Sequence, residues 1–319
     1  MAPALLIVNP RSGGGRAGAA FGELRPIILR TLGTVDVELT RRSGHAIELA
    51  RAAAAAGRGL VVAVGGDGTL HEVVNGVMHA REQGHAVTAV GLIGQGTGGD
   101  FARTLGLRHN LESYLHALGR REMRSIDVGR VRYRDGSGKE AQRYFVNIVS
   151  AGMSGLVDRY VADASRAGGG KAAYFAASLR ALARCRPARV RCTHEHGGAR
   201  RDAVRASPYL IAVCNGRYFG AGMHVAPMAK IDDGRLEVIA MSAANKLAFA
   251  LAARKIYDGG HLAAPGVRHF ACDRIRLELE DEDARDVFLL DVDGEPLGGL
   301  PIEVDIVPGA LKLVCKPAA

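Results

Sequence analysis

The feature that most constrains this chain is a unit that recurs along its first hundred or so residues. Each time, an apolar strand runs into a glycine-rich polar turn and then into the start of a helix. Ala4–Val8 leads into Asn9-Pro10-Arg11-Ser12-Gly13-Gly14-Gly15 and a helical stretch from about Ala17 to Leu32. Gly59–Val64 leads into Gly65-Gly66-Asp67-Gly68-Thr69 and a helix over Thr69–Arg81. Ala86–Ile93 leads into Gly94-Gln95-Gly96-Thr97-Gly98-Gly99-Asp100. Between the first two units lie a strand at Thr34–Leu39 and an alanine-rich helix at His45–Ala56. Alternation of this kind predicts a doubly wound, mostly parallel sheet with helices on both faces.

Ligands of open α/β sheets bind outside the carboxyl ends of the strands. Glycine lets backbone N–H groups come close to an anion, and each following helix adds a positive dipole end. One such turn would only reverse the chain. Three from different strands, at one sheet edge, point to a polyphosphate ligand such as a nucleotide. No GxxxxGK[ST] string is present, so this is not a P-loop. Gly94–Gly99 fits GxGxxG, but it follows about the fourth strand. No acidic residue ends a clear strand ~20 residues later, as a dinucleotide ribose requires.

Beyond Arg124 the texture changes. Ile126–Tyr133, Tyr144–Val149, Ala188–Thr193, Tyr209–Cys214, Leu236–Met241, Arg274–Leu279, Val287–Leu290 and Ile302–Val307 read as strands, several with strict alternation. Helical stretches interrupt them at about Lys171–Ala183 and Asn245–Tyr257, and Arg134–Lys139 and Glu195–Arg201 read as exposed tips. The expectation is a nucleotide-binding α/β domain over 1–125 and a mostly antiparallel β-sandwich over 126–307. The tail at about 308–319 returns to the first domain.

The net charge of +9 favours nucleic acid, anionic membranes or phosphorylated substrates. Only seven of the 42 basic residues are Lys, and no concentrated stripe or nucleic-acid motif accompanies them, so a nucleic-acid partner is not expected. The five cysteines form no CxxC, which disfavours a disulfide framework or zinc site and fits a reducing, cytoplasmic setting. No signal peptide or membrane-spanning run is evident.

The three turns resemble the signature of the diacylglycerol kinase catalytic-domain family, which includes sphingosine and ceramide kinases, with NAD kinases more distant. The most specific string is Gly65-Gly66-Asp67-Gly68-Thr69-Leu70-His71-Glu72-Val73-Val74-Asn75-Gly76. Asn9-Pro10 with Ser12-Gly13, Thr40 with Gly44-His45-Ala46, and Gly96-Thr97-Gly98 with Asp100-Phe101-Ala102 agree in order and spacing. The similarity continues through Ile126-Asp127-Val128-Gly129, Tyr144–Asn147, Asn215-Gly216, Asp233-Gly234, Asp293-Gly294-Glu295 and Pro308–Leu311. Gly99 departs from the family's usual GTGND, and His71 replaces a more frequent Asn on what reads as the helix surface.

The resemblance implies an ATP-dependent lipid kinase in which ATP, Mg²⁺ and a lipid meet in an interdomain cleft. It assigns nucleotide contacts to Asn9, Pro10, Arg11, Ser12, Gly13, Thr40, Gly66, Asp67, Gly68, Thr69, Leu70, His71, Glu72 and Thr97. Asp67 reads either as a Mg²⁺ contact or as a helix N-cap. Glu295 is the candidate base, with Asp293 beside it; without the family, Asp293-Gly294 would be an ordinary hairpin turn. Lys230, Asp233 and Arg235 match a structural metal loop, with only Asp233 offering a carboxylate. Asp100 and Arg103 read as a charged cleft pair or a plain helix pair. The acceptor would be reached at the membrane surface, with anionic lipid contact, and a homodimer stays open. The rival readings are a NAD kinase and a non-catalytic lipid- or nucleotide-binding module.

Overall fold

The structure is a computed structural model and describes residues 3–96, 98–164, 171–201 and 203–315. The chain divides into two compact units, Met1–Val128 with Pro308–Ala319, and Gly129–Val307.

The first unit contains β1 (Ala4–Val8), α1 (Arg16–Leu32), β2 (Val35–Leu39), α2 (His45–Ala55), β3 (Leu60–Gly65), α3 (Asp67–Glu82), β4 (Ala89–Gly94), α4 (Asp100–Thr104) and α5 (Leu111–Arg120). The strands are parallel in the order β2-β1-β3-β4. Beyond β4, Lys312 and Leu313 of the C-terminal strand pair in parallel with Ala89 and Val90. Consecutive residues of β1 and β3 are fully buried, among them Leu6, Ile7, Val8 and Val61–Val64. Helices therefore cover both sheet faces, which is why these strands read as unbroken apolar runs. The chain leaves β1 on one side for β2 and on the other for β3. The switch point of this sheet thus lies between β1 and β3, the place where such folds bind ligands.

The second unit is built from β5 (Met123–Arg134, from Gly129 on), β6 (Glu140–Phe145), β7 (Ile148–Gly152), α6 (Met153–Ala164), α7 (Lys171–Arg184), β8 (Val190–His196), β9 (Ala199–Arg200), β10 (Val204–Ala206), β11 (Leu210–Cys214) and β12 (Leu236–Met241). It continues with α8 (Lys246–Arg254), β13 (Val267–Cys272), β14 (Arg274–Leu279), β15 (Leu289–Val292), β16 (Glu295–Gly299) and the first part of β17 (Ile302–Val314). One antiparallel sheet has the order β13-β12-β11-β7-β15-β16. The other layer joins β10, β8, β14 and β17, with the β5–β6 hairpin beside β17.

Period-two alternation sorts the residues of the six-stranded sheet onto two buried faces. Val149, Ala151, Ile211, Val213, Val238 and Ala240 pack between the sheets against Val131, Phe145, Val190, Ile275 and Val304. Ile148, Leu210, Ala212, Cys214, Ile239 and Met241 point the other way, onto Leu156, Ala181 and Phe249 of the covering helices. The doubly wound first unit and the antiparallel sandwich are the fold class expected from the sequence. Several elements were not anticipated, among them α5, β10 and β16, and also α6 and β13. Helix α6 follows β7 directly, with Gly152 at φ 101° as the hinge. Strand β13 lies at a sheet edge, pairs only with β12 in its own sheet, and is half exposed. Glu195 and His196, expected in an exposed tip, belong to the end of β8, and the His194 ring before them lies 4.5 Å from that of Phe270. All five cysteines are buried and free, and no described helix is long and apolar enough to cross a membrane.

Candidate functional site

The three glycine-rich turns converge at the carboxyl edge of the first unit's sheet. Asn9 is the pivot. Its backbone N–H donates to Val64 O on β3 (2.9 Å), and its side-chain amide donates to Thr69 Oγ1 (3.1 Å). Its Oδ1 accepts from Arg11 N (3.0 Å), shaping the turn through Pro10 to Ser12. Gly13, Gly14 and Gly15 follow at positive φ, which a side chain would strain. The second and third turns meet at Gly66 and Gly96: a Cβ on Gly96 would lie 2.7 Å from Gly66 Cα, and one on Gly66 would lie 3.4 Å from Ser12 Oγ. Thr40 stands on the same edge, its N–H donating to Val8 O at 2.9 Å.

Asp67 is the first residue of α3, and Gly66 takes the N-cap position, so the capping alternative for Asp67 does not hold. Its Oδ2 instead accepts from Gly99 N (2.9 Å) and Asp100 N (3.3 Å), tying the second turn to the start of α4. The Asp100 carboxylate flanks the same glycine, Gly98: a Cβ there would lie 2.7 Å from Asp67 Oδ2 and 3.9 Å from Asp100 Oδ2. Asp100 pairs with Arg103 at 2.8 Å, and Arg103 also donates to Gly98 O at 2.6 Å. Two carboxylates beside a cradle of backbone amides suit a divalent cation shared with phosphate oxygens. Among the described residues no cluster of three or more His, Cys, Asp or Glu side chains could hold a metal unaided.

The remaining assigned residues divide by where they point. Gly68 lies in the first turn of α3. Leu70 is buried in the core and offers the edge only backbone. His71 is also buried, against the expectation that it lies on the helix surface; it faces Asn75, whose Nδ2 lies 3.3 Å from its Nε2. The reason is that α3 is covered on most of its circumference, with ten of its residues from Thr69 to Ala80 buried. Glu72 accepts from Gly44 N (2.8 Å) and Ala46 N (3.0 Å) and so caps the start of α2. Thr97 lies outside the described residues. Asp127 is buried and accepts from Gly309 N at 2.7 Å.

Two residues of this edge had no signal in the sequence. His109 places Nε2 2.9 Å from Gly96 O and Nδ1 2.5 Å from the Tyr114 hydroxyl. Burial, reinforced by the nearby Asp67 carboxylate, pushes the Tyr114 hydroxyl far above its ordinary pKa. His109 also accounts for Gly99. That residue sits at φ 68°, and a Cβ on it would fall 2.6 Å from His109 Nδ1.

In the second unit, Asp293-Gly294 forms a two-residue hairpin between β15 and β16, with φ of 51° and 90°. The turn and the site coincide. Asp293 Oδ2 accepts from Val146 N (3.0 Å), while Oδ1 accepts from Asn147 N (3.1 Å) and Ile148 N (2.8 Å). It clamps the link between β6 and β7, which makes it a positioning group. Glu295, half-buried at the start of β16, is left as the candidate base. The Asn147 carbonyl accepts from Asn215 N (2.9 Å) and Gly216 N (2.8 Å), bringing that loop to the same strand ends. The Lys230–Arg235 loop is an exposed turn in which Asp233 Oδ1 accepts from Arg235 N at 3.1 Å. Of Lys230, Asp233 and Arg235, only Asp233 brings a carboxylate, and the other two would contribute backbone carbonyls.

Residues 3–131 match the family described as the diacylglycerol kinase catalytic domain, and residues 147–315 match the YegS C-terminal NAD kinase beta sandwich-like domain. The chain belongs to the diacylglycerol kinase family, with a YegS-type second domain. The "Probable lipid kinase YegS" of Escherichia coli O127:H6 is 25% identical over 292 residues, 91% of this chain and 90% of that protein. The "Probable lipid kinase YegS-like" of Shewanella frigidimarina is 26% identical over 91% of this chain and 88% of its own. A diacylglycerol kinase structure from Bacillus anthracis str. Sterne superposes with a TM-score of 0.70 at 21% identity, covering 99% of this chain and 97% of that one. Another structure from the same strain reaches 0.77 at 23% identity, with coverage of 99% and 95%. At these identities the structures speak to the fold.

Proposed function

We propose that this diacylglycerol kinase family member is an ATP-dependent lipid kinase that transfers the γ-phosphoryl group of ATP to a lipid hydroxyl. The observation that carries the reading is the convergence of three glycine-rich turns at the sheet's switch point, with Asp67 joining two of them. The curated relatives named as lipid kinases support the acceptor class. Phosphoryl transfer asks mainly for positioning and charge stabilisation. In the first unit, backbone amides of the turns and the Ser12 and Thr69 hydroxyls donate to phosphate oxygens. Asp67 and Asp100 are the groups that would hold Mg²⁺, which when bound neutralises developing phosphate charge.

In the second unit, Glu295 takes the proton of the acceptor hydroxyl as its oxygen bonds to phosphorus and the bond to the departing ADP breaks. Asp293 keeps the hairpin that presents Glu295 in place. The test is ATP consumption by the purified protein with Mg²⁺ over mixed micelles of diacylglycerol, a sphingoid base, ceramide and phosphatidylglycerol, with NAD as a further arm. Turnover with one lipid class, lost in Glu295→Gln, is expected. Phosphorylation of NAD instead, or lipid turnover undiminished in Glu295→Gln, overturns the assignment.

A further inference from the structure

We propose that the outward faces of α7 and α8 form one surface that docks on an anionic lipid bilayer. The proposal rests on the lipid-kinase reading for its purpose, since no described helix crosses a membrane and a bilayer-held acceptor must be met at the surface. Its evidence is separate from the catalytic groups.

Both helices cover the same face of the six-stranded sheet. Ala177, Ala181 and Cys185 at the end of α7, and Phe249 of α8, enter one buried cluster with the strands. Their opposite faces therefore look away from the sheet in the same sense. The two helices also meet, because Lys246 Nζ donates to Ala183 O at 2.5 Å.

On those outward faces the ordinary pattern of a solvated helix fails. Phe175 and Leu179 lie one turn apart on α7 and are 65% and 53% exposed. Leu247 and Leu251 repeat the spacing on α8 at 71% and 54%. Single exposed leucines are common; two i, i+4 apolar pairs on touching helices make a patch. Tyr257, just past α8, is 60% exposed and carries the kind of amphipathic ring that settles at headgroup depth.

The charge identifies the occupant. Neither α7 nor α8 contains an acidic residue. Arg184, Lys246, Arg254 and Lys255 are exposed around the apolar pairs. The first carboxylate beyond α8, Asp258, is engaged by Gly260 N at 2.9 Å. An apolar strip with a predominantly basic rim matches an interfacial helix on anionic lipid. A second copy of this chain would set basic rim against basic rim, and so is disfavoured as the partner.

The test is co-sedimentation of the full chain with vesicles, without nucleotide or acceptor. Vesicles of phosphatidylcholine with phosphatidylglycerol are compared with phosphatidylcholine alone. The expected result is binding that needs phosphatidylglycerol and weakens with salt. Combined Phe175→Ser, Leu179→Ser, Leu247→Ser and Leu251→Ser should lower the partition coefficient at least about tenfold. Lys246→Glu with Arg254→Glu should abolish the preference for phosphatidylglycerol. All of these side chains are exposed, and equal melting temperatures check that the variants fold. Turnover of a short-chain diacylglycerol below its micelle concentration should persist in the apolar variant. Absence of wild-type turnover with diacylglycerol and with every other lipid of the panel would sink the kinase reading and leave the vesicle result standing. No vesicle binding by the wild type, unaltered binding by the apolar variant, or self-association that the same substitutions abolish without any vesicle binding overturns the docking surface.

Discussion

Asp158 on α6 and Asp291 on β15 meet carboxyl to carboxyl, sharing a hydrogen bond, while Ser150 Oγ donates to Asp291 Oδ2 at 3.2 Å. Asp291 is buried, and two carboxylates so placed cannot both ionise at low cost. Burial pushes Asp158 up to about 6, and burial followed by the Asp158 charge holds Asp291 well above the ordinary carboxylate range.

A folded-state pKa raised above the unfolded value means that the folded protein binds the proton more tightly. The pair's stabilising contribution is thus complete below pH ~4, where both states are protonated, and is lost as the pH climbs through about 6. The half-buried His224 and buried His261 imidazoles, held below their ordinary range by desolvation, pull the other way. The diagnostic quantity is therefore a difference. Asp158→Asn should flatten the fall in melting temperature between pH 5 and pH 8 relative to wild type, by about 2 kcal/mol at the upper end. Parallel melting curves for the two proteins across this range would contradict the shared proton.

The Gly99–His109 contact predicts a coupled pair. Gly99→Ala places a Cβ against His109 Nδ1 and in the left-handed region, so it should destabilise the first unit by about 1–2 kcal/mol and weaken ATP binding. Adding His109→Ala removes the clash but not the backbone cost. The double variant should therefore recover part of the loss, giving a coupling energy of about 0.5–1 kcal/mol. Simple additivity in a four-way denaturation cycle would show that the two residues do not press on each other.

The first unit was legible because strands buried on both faces leave unbroken apolar runs, each punctuated by glycine at the same end. Strand order was not, since nothing local marks β1 and β3 as neighbours. In the second unit β11 and β12, and parts of β7 and β15, read as strands despite being buried on both faces, because their runs are short, whereas the edge strands β13 and β16 did not. Helix α6 was missed because β7 passes into it through Gly152 alone, without a turn signal. The burial of His71 escaped notice because a histidine in a polar string looks like surface until the tertiary packing that buries most of α3 is known. His109 reaches Gly96 from thirteen residues away in a loop, a contact no spacing rule encodes. The Asp158–Asp291 pair joins elements far apart in the chain and was invisible for the same reason.

Asp67 should separate positioning from cation binding. Asp67→Ala leaves the Gly99 and Asp100 amides without their acceptor, and the melting temperature should drop by the equivalent of about 1–3 kcal/mol. Asp67→Asn keeps an oxygen that those amides can use. It should melt close to wild type yet lose at least about tenfold in Mg²⁺-dependent ATP affinity, because the charge is gone. Calorimetric titration with and without Mg²⁺ distinguishes the cases. Equal ATP affinity for Asp67→Asn and wild type in Mg²⁺ would remove Asp67 from the cation's surroundings.

Asp293 and Glu295 lie two residues apart and should fail in different ways. The Asp293 carboxylate satisfies three backbone amides at 2.8–3.1 Å, so Asp293→Ala strands all three and imposes an alanine at φ 51°. Charged acceptors of this kind are worth about 1.5–3 kcal/mol per bond before compensation by water, and a total loss of about 3 kcal/mol in stability is expected. Asp293→Asn, which tolerates the left-handed backbone and keeps one acceptor oxygen, should recover part of it. Glu295→Gln preserves the shape of the side chain and removes only its charge. Its melting curve should overlay that of wild type while turnover falls at least about a hundredfold, the range for loss of a general base. If Asp293→Asn instead abolished turnover at full stability, and Glu295→Gln left it intact, the base would be Asp293 and the assignment within this hairpin would be reversed.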